Sequence, residues 1–499
     1  MRKRILSLQY ALIPAFAVAM RLIPGPRTVD DAFITFRYAR NLLAGHGLVY
    51  NPGEWVLGTT TPLYALILSF LGLIAPEDQT NFPLIALMLN AFFDALTCYI
   101  LIRIGESLNR PYAGTSASVI WAVAPMSVSF AIGGMETSLV VLLITTSFYF
   151  HIKHRHALAA LSASLSVLTR PDALIFVLLI GIDRVIRALK KSATRPSWIE
   201  AAAFVIPLGI WVAISTAAYG SPIPQSISAK TSAYSLPPEA GLIRLLQHFA
   251  TPFFGHETFG VWWIGLGLLL YPTLYIIGWR YTLKDTTVAW PLAVYPILYI
   301  GVFAFANPLL FRWYLTPPLP MYFLGIFLGF AQIGLRANRR TIITIAMLGT
   351  LVLTINAWTL HPDHGPDRPA PGMAYIRLEN FYQQAAEILA PRLEDGDQLA
   401  AGDIGVLGYL TDAYILDTVG LITPGSSEYY PLPEEQYVIN YAIPTDLILA
   451  EKPEFIVVLE AYIRETLLKN DMFKEQYQLL STLDADLYGS KGMLIFKRR

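Results

Sequence analysis

Eight stretches of the chain, near residues 5–24, 82–104, 112–131, 199–218, 259–279, 287–306, 313–332 and 340–359, are apolar over about the 20 residues that a helix needs to cross a hydrocarbon core. In hydrocarbon every backbone polar group must be bonded within its own segment, so each run is expected to be a helix. The composition agrees: of 499 residues, 55% are hydrophobic and only 14% charged, too apolar for a soluble enzyme. The expected class is an α-helical polytopic membrane protein. The single cysteine, Cys98, lies within an apolar run, which excludes an intrachain disulfide or a cysteine metal cluster.

The net charge of zero conceals an asymmetry. Residues 1–359 hold 25 Lys and Arg against 14 Asp and Glu, whereas residues 360–499 hold 11 against 22. A basic membrane part, 1–359, is thus followed by an acidic tail, 360–499. Basic connections occur at Arg103 and Arg110, in HIKHRH (151–156), in DRVIRALKKSATR (183–195), at Arg280 and Lys284, and in LRANRR (335–340). The positive-inside rule places all of them on the cytoplasmic side. TPLYALILSFLGLIA (61–75) cannot then span, and is expected to lie as a helix in the outer interface. The segment 157–182 carries basic clusters at both ends, so it must turn back on itself, at RPD (170–172). An arm such as 157–169 reaches only about 20 Å, which places Arg170 and Asp172 inside the protein.

This reading gives 11 spans, over 5–24, 82–104, 112–131, 136–152, 157–169, 173–189, 199–218, 259–279, 287–306, 313–332 and 340–359. The opening segment has the look of a signal peptide, but its apolar stretch lacks a small-residue cleavage site; it is read as a retained first helix. The N-terminus is expected in the cytoplasm, with loops 25–81 and 219–258 and the tail outside, as in a multi-pass bacterial inner-membrane protein. The tail follows a Pro/Gly linker, HPDHGPDRPAPG (361–372), and alternates β-like runs (AYILDTV, EFIVVLE, GMLIFK) with helical patterns, which suggests a small α/β domain. AAGDIGVLGYL does not supply a nucleotide-binding glycine fingerprint.

Under this topology the outward-facing ionisable residues share one side of the membrane. Ionisable groups at membrane depth are costly and usually face a cavity or a partner. Asp30, Asp31, Glu136 and Asp172 are candidate acids or bases, while Arg170, Lys230 and Arg312 are candidate anion clamps. Carboxylates can take a proton from a hydroxyl nucleophile, and fixed cations can stabilise a departing phosphate. Each also has a purely structural reading: a helix start for Asp30 and Asp31, an ion pair at a turn for Arg170 and Asp172, a helix cap for Glu136, an interfacial anchor for Arg312, and a solvated loop charge for Lys230. His46 reads as a turn residue, HIKHRH as a cytoplasmic charge anchor, and Asp94 as an interhelical hydrogen-bond partner.

The stretch DDAFITFRYARNLLAGHGLVYNPG followed by TTTPLYALIL resembles the first external loop of polyprenyl-phosphate-dependent glycosyltransferases of the C-type (GT-C) membrane fold, above all the cell-wall arabinofuranosyltransferase-like branch. GGMETSL, LTRPDAL, YGSPIPQSISAK, FRWYLTPPLP and GDIGVLGYLTDAYILDTVGLITP follow in the order that layout requires. The resemblance implies an inverting transfer of a sugar from a polyprenyl-phosphate donor to a hydroxyl of a glycan, lipid or protein acceptor at the outer face of the bilayer, in envelope glycan or glycoconjugate assembly. It implies Asp30 as base, Asp31 as its helper and Glu136 as a second acid. Lys230, Arg312 and Arg170 would hold the donor phosphate, and Arg37, His46, Asp172 and Tyr314 would contact substrate. A divalent cation is left open as a cofactor, no metal ligands are assigned, and no nucleic-acid partner is expected. A lipid-linked sugar flippase and a non-catalytic scaffold of an envelope or motility complex remain the alternatives.

Overall fold

A computed structural model of the chain describes residues 2–74, 81–191, 195–253, 262–333, 341, 344–345, 347–349, 374–484 and 486–499. Of the 11 expected spans, that over 340–359 lies almost wholly outside the described residues, as does the linker 361–372. The other ten each coincide with a helix or a pair of helices. Phe82–Ser107, Trp198–Tyr219, Trp262–Asp285 and Thr287–Ala306 are long and apolar enough to cross a membrane. Pro111–Val123 and Pro125–Ile132 qualify as a fifth span if counted together, bent by 46° where Pro125 interrupts the ladder. The expected turn at RPD is a break: helix His156–Thr169 ends at an extended Arg170, and Pro171–Ala173 forms one tight turn before helix Leu174–Leu189.

The chain forms two compact units, and their boundaries differ from the expected division at 359/360. The first comprises residues 1–27, 83–211 and 238–372; the second comprises 28–82, 212–237 and 373–499. Residues 28–82, the bulk of the first external loop, thus fall in the same unit as residues 373–499.

In the first unit, helices approach closely at glycines. A Cβ at Gly105 would meet the Gly114 Cα at 2.5 Å, and one at Gly329 would meet the Leu274 carbonyl oxygen at 2.1 Å. Asp94 is buried and, as expected, ties helices together. It accepts hydrogen bonds from Arg21 at 3.0 Å, Ser138 at 2.9 Å and the Trp121 indole at 3.2 Å.

The second unit is built on a five-stranded mixed sheet of order β2-β1-β3-β5-β4, with β1 at Gln398–Ala401, β2 at Tyr414–Asp417, β3 at Phe455–Leu459, β4 at Tyr477–Leu483 and β5 at Met493–Arg498. β1 runs parallel to β2 and β3; β5 is antiparallel to β3 and β4. Helix Gly405–Thr411 connects β1 to β2 as a short crossover. Polar side chains of the first external loop bind this framework. Asn51 acts as a strand partner for β2, donating to the Ile415 carbonyl at 2.9 Å and accepting its N–H at 3.1 Å. Arg37, buried in helix Asp30–Leu43, donates from its three nitrogens to the carbonyls of Tyr50, Gly408 and Ala413 and packs its guanidinium 4.4 Å from the Tyr50 ring. Pro62–Gly72 is the short apolar helix expected over 61–75, and it leaves Leu66 and Phe70 exposed.

Candidate active site

Of the expected site residues, Asp30, Asp31 and Lys230 gather in one unit, and Glu136, Arg170, Asp172 and Tyr314 in the other. Asp30 and Asp31 open helix Asp30–Leu43, directly after the extended Val29. The Asp30 carboxylate turns onto the start of helix Gly405–Thr411, accepting the Gly405 N–H at 2.9 Å and the Val406 N–H at 2.7 Å. Both oxygens thus cap that helix, where a negative charge is favoured. Gly405 makes this contact possible, because a Cβ there would lie 1.8 Å from the Asp30 carbonyl oxygen. The Asp30 backbone N–H in turn donates to Glu379 at 2.7 Å.

Asp31 has a different environment. Its carboxylate lies 3.6 Å from the Lys230 ammonium, and both side chains are about a quarter exposed, at 29% and 24%. Lys230 stands in the last turn of helix Gln225–Ala233. Asp403, in the turn between β1 and helix Gly405–Thr411, is partly exposed and accepts the Tyr382 hydroxyl at 2.7 Å.

Crowded carboxyls hold their protons. Burial, and then the charge of Asp403, push Asp30 up from the ordinary carboxylate range. Burial pushes Asp403 up as well, with Asp31 adding to the shift while the Tyr382 hydroxyl and Lys230 oppose it. Burial holds Glu379 well above the ordinary range, reinforced by the charges of Asp30, Asp31 and Asp403. The folded unit therefore keeps protons that the unfolded chain releases at about pH 4. The stability they contribute is complete below that pH and is lost as pH rises through the raised values. Between pH 5 and 8 the thermal midpoint of this unit should fall, and Asp403→Asn, which removes one such group and relieves Asp30, should flatten the fall. A fall as steep in the variant as in the parent would contradict this.

The second group lies in the first unit. The Arg170 guanidinium forks onto Asp172, Nε to Oδ1 at 2.9 Å and Nη2 to Oδ2 at 3.1 Å, while Nη1 donates to Glu136 at 3.1 Å. It also stacks 4.5 Å from the Tyr314 ring. The Tyr299 hydroxyl, with one proton to give, lies 2.7 Å from Asp172 and 2.6 Å from the Tyr314 carbonyl oxygen. All three nitrogens of Arg170, expected as a phosphate clamp, are engaged in a buried network. Glu136 is likewise an ion-pair partner rather than an isolated acid, and its carboxylate does not cap the helix it precedes. Removing one member of a buried pair leaves the others uncompensated. Arg170→Ala should therefore cost about 3–5 kcal/mol by denaturant titration, whereas a cost below about 1 kcal/mol, as for an exposed pair, would contradict the network.

Arg312 is half-buried and, among the described residues, makes no hydrogen bond or ion pair. It remains a candidate for an anionic ligand. Arg37, expected as a substrate contact, is buried with carbonyl groups on each of its three nitrogens. His46 sits exposed in a turn. Among the described residues, no group of three or more His, Cys, Asp or Glu is arranged to hold a metal ion. The sequence reading missed Asp403 and Glu379. Asp403 carried a weak signal, an acid in the glycine-flanked GDIG; its place just past the carboxyl end of the parallel strand β1, where ligands of open α/β sheets bind, is visible only in the structure. Glu379 carried none, as one charge on an amphipathic helix.

A family described as a domain of unknown function (DUF8728) matches residues 374–496. A terminal β-(1→2)-arabinofuranosyltransferase of Mycobacterium tuberculosis is 29% identical over 122 residues, which span 22% of this chain and only 19% of that protein. Among solved structures, ArnT from Cupriavidus metallidurans bound to undecaprenyl phosphate superposes with a TM-score of 0.58 at 9% identity, covering 99% of this chain and 98% of that one. The archaeal oligosaccharyltransferase AglB from Archaeoglobus fulgidus, in complex with an inhibitory peptide and a dolichol-phosphate, gives 0.60 at 10% identity over 100% of this chain and 74% of that one. The mycobacterial arabinofuranosyltransferase AftD gives 0.50 at 16% identity over 100% and 40%. With the apolar helices, the break at RPD and the sheet-bearing second unit, these likenesses identify the architecture: the chain has the C-type glycosyltransferase (GT-C) membrane fold.

Proposed function

We propose that the protein is an inverting glycosyltransferase that moves a sugar from a polyprenyl-phosphate donor to an acceptor hydroxyl at the outer face of a bacterial-type inner membrane. The observation that carries the reading is the Asp31–Lys230 pair, 3.6 Å apart and partly open, beside the tethered Asp30. The acceptor oxygen forms a bond to the anomeric carbon as the bond from that carbon to the phosphate oxygen breaks. The electron pair leaves with the phosphate, and the acceptor proton passes to Asp31. Lys230 offsets charge on the leaving phosphate, and Arg312, in the other unit, is assigned to an anionic ligand. Asp30 holds helix Asp30–Leu43 against helix Gly405–Thr411, which fixes where Asp31 stands.

Roles within the aspartate pair are thereby exchanged relative to the family resemblance. Asp30 already holds its proton and has both oxygens engaged by backbone N–H groups, which leaves the partly open Asp31 better placed to take a proton from the acceptor. The binding of undecaprenyl phosphate and dolichol-phosphate by structural neighbours supports a lipid-linked donor.

The test is acceptor-dependent release of polyprenyl phosphate by the purified protein from a radiolabelled polyprenyl-phosphate sugar, with the anomeric configuration of the product read by NMR. Inversion is expected. A retained configuration, movement of the intact donor across a vesicle bilayer, or no release with any acceptor would overturn the reading.

A further inference from the structure

Beside the aspartate pair, the second unit carries a cluster of tyrosines around an aspartate that this reaction scheme leaves unused. Its centre is Asp403, partly exposed after β1. Tyr441 packs behind it, buried, with its ring 5.8 Å from that of Tyr234 and 5.1 Å, edge to face, from that of Tyr462. Gly402 keeps this wall open: a Cβ there would fall 2.8 Å from the Tyr441 ring. The Tyr441 hydroxyl is spoken for by Thr418 at 2.6 Å, and the Tyr382 hydroxyl by Asp403. Tyr234 and Tyr462 differ. Both rings are only partly buried, and among the described residues neither hydroxyl has a hydrogen-bond partner or belongs to the buried, unsatisfied set. The backbone fixes Tyr234 in place, since the next residue, Ser235, donates its N–H to the Asn440 carbonyl at 3.0 Å.

Flat apolar faces, two phenol hydroxyls without a hydrogen-bond partner among the described residues and one carboxyl are the complement of a sugar ring, which presents C–H groups on a face and hydroxyls at its rim. A peptide would call instead for a free strand edge or paired backbone groups. Asp403 and Tyr234 also lie within electrostatic reach of Asp31, the proposed proton acceptor. We infer that this cluster is an acceptor subsite for carbohydrate, in which Tyr234 and Tyr462 face the sugar ring and Asp403 accepts its hydroxyls. The inference rests on the transferase reading and narrows the acceptor to a glycan or glycoconjugate.

Ligand-observed NMR on the full chain in detergent, with methyl pentosides and methyl hexosides as probes and a Ser/Thr peptide as comparison, tests binding without requiring turnover. Saturable binding of at least one glycoside is expected. Tyr234→Ala and Tyr462→Ala should each weaken it about tenfold, with Tyr462→Phe losing less because the ring remains. In the transfer assay the same alanine variants should raise the acceptor KM by more than they lower kcat and leave the donor KM in place. Absence of binding by every glycoside, binding that neither alanine variant weakens, or binding of the peptide alone would overturn the subsite. Glycoside binding without sugar transfer would keep the subsite and remove the transferase reading. Transfer whose acceptor KM ignores both tyrosines would do the reverse.

Discussion

Gly405→Ala is expected to destabilise the second unit by at least about 3 kcal/mol, at the upper end of what one added methyl does in a packed interior. The new Cβ would stand 1.8 Å from the Asp30 carbonyl oxygen and 2.9 Å from the Asp30 carboxyl carbon. The obstacle is largely backbone, which cannot rotate aside, so either helix Asp30–Leu43 or helix Gly405–Thr411 must move. Any such movement breaks both hydrogen bonds from Gly405 and Val406 to Asp30 and disturbs the Arg37 donors that reach the carbonyls of Gly408 and Ala413. Thermal unfolding and limited proteolysis of the purified variant measure the loss. Gly425→Ala is the control, because a Cβ there meets nothing within 4 Å, and its midpoint should match the parent. Parent-like stability of Gly405→Ala would mean that the Asp30 cap is not formed.

The second large effect is catalytic and separates two adjacent acids. Asp31→Asn keeps the side chain's shape but removes the proposed proton acceptor. General-base contributions of about 10²–10⁴ in rate set the size of the expected loss in kcat. Asp30→Asn should also lower activity, but by another route. An amide caps a helix with only one acceptor oxygen, so the unit should lose stability as well, by about 1 kcal/mol. Asp31, partly exposed and paired with Lys230, has no comparable structural duty, and Asp31→Asn should unfold with a parent-like midpoint. Loss of activity without loss of stability at Asp31, and loss of both at Asp30, is the pattern that distinguishes the roles.

The helical framework was legible because hydrophobic runs and basic connections report directly on membrane burial. Ten expected spans coincide with helices, and the break at RPD was read from two basic clusters that a single crossing could not both keep on the cytoplasmic side. β2, β3 and β5 were visible as apolar runs. β1 and β4 were not: QLAA is short and small, and YQLLSTL follows a helical pattern without a turn signal between them. The candidate site was legible in its residues and opaque in their pairing. Asp30, Asp31 and Lys230 do assemble in one unit, and Glu136, Arg170 and Asp172 in the other. Which of them is consumed by structure depends on partners distant in sequence: Gly405 for Asp30, Tyr314 for Arg170, and Gly408 and Ala413 for Arg37. No local spacing encodes such partners. The contacts between the first external loop and the tail, such as Arg37 with Gly408 and Ala413, Asn51 with Ile415 and Phe33 with Tyr409, join residues hundreds of positions apart and leave no periodic trace.

The most direct test of the central claim is single-turnover transfer of a labelled sugar from polyprenyl phosphate by the purified Asp31→Asn protein, with the parent in parallel and folding verified by its unfolding midpoint. The account predicts a stable protein that transfers at least about a hundredfold more slowly. Transfer by Asp31→Asn at the parent's rate would contradict it.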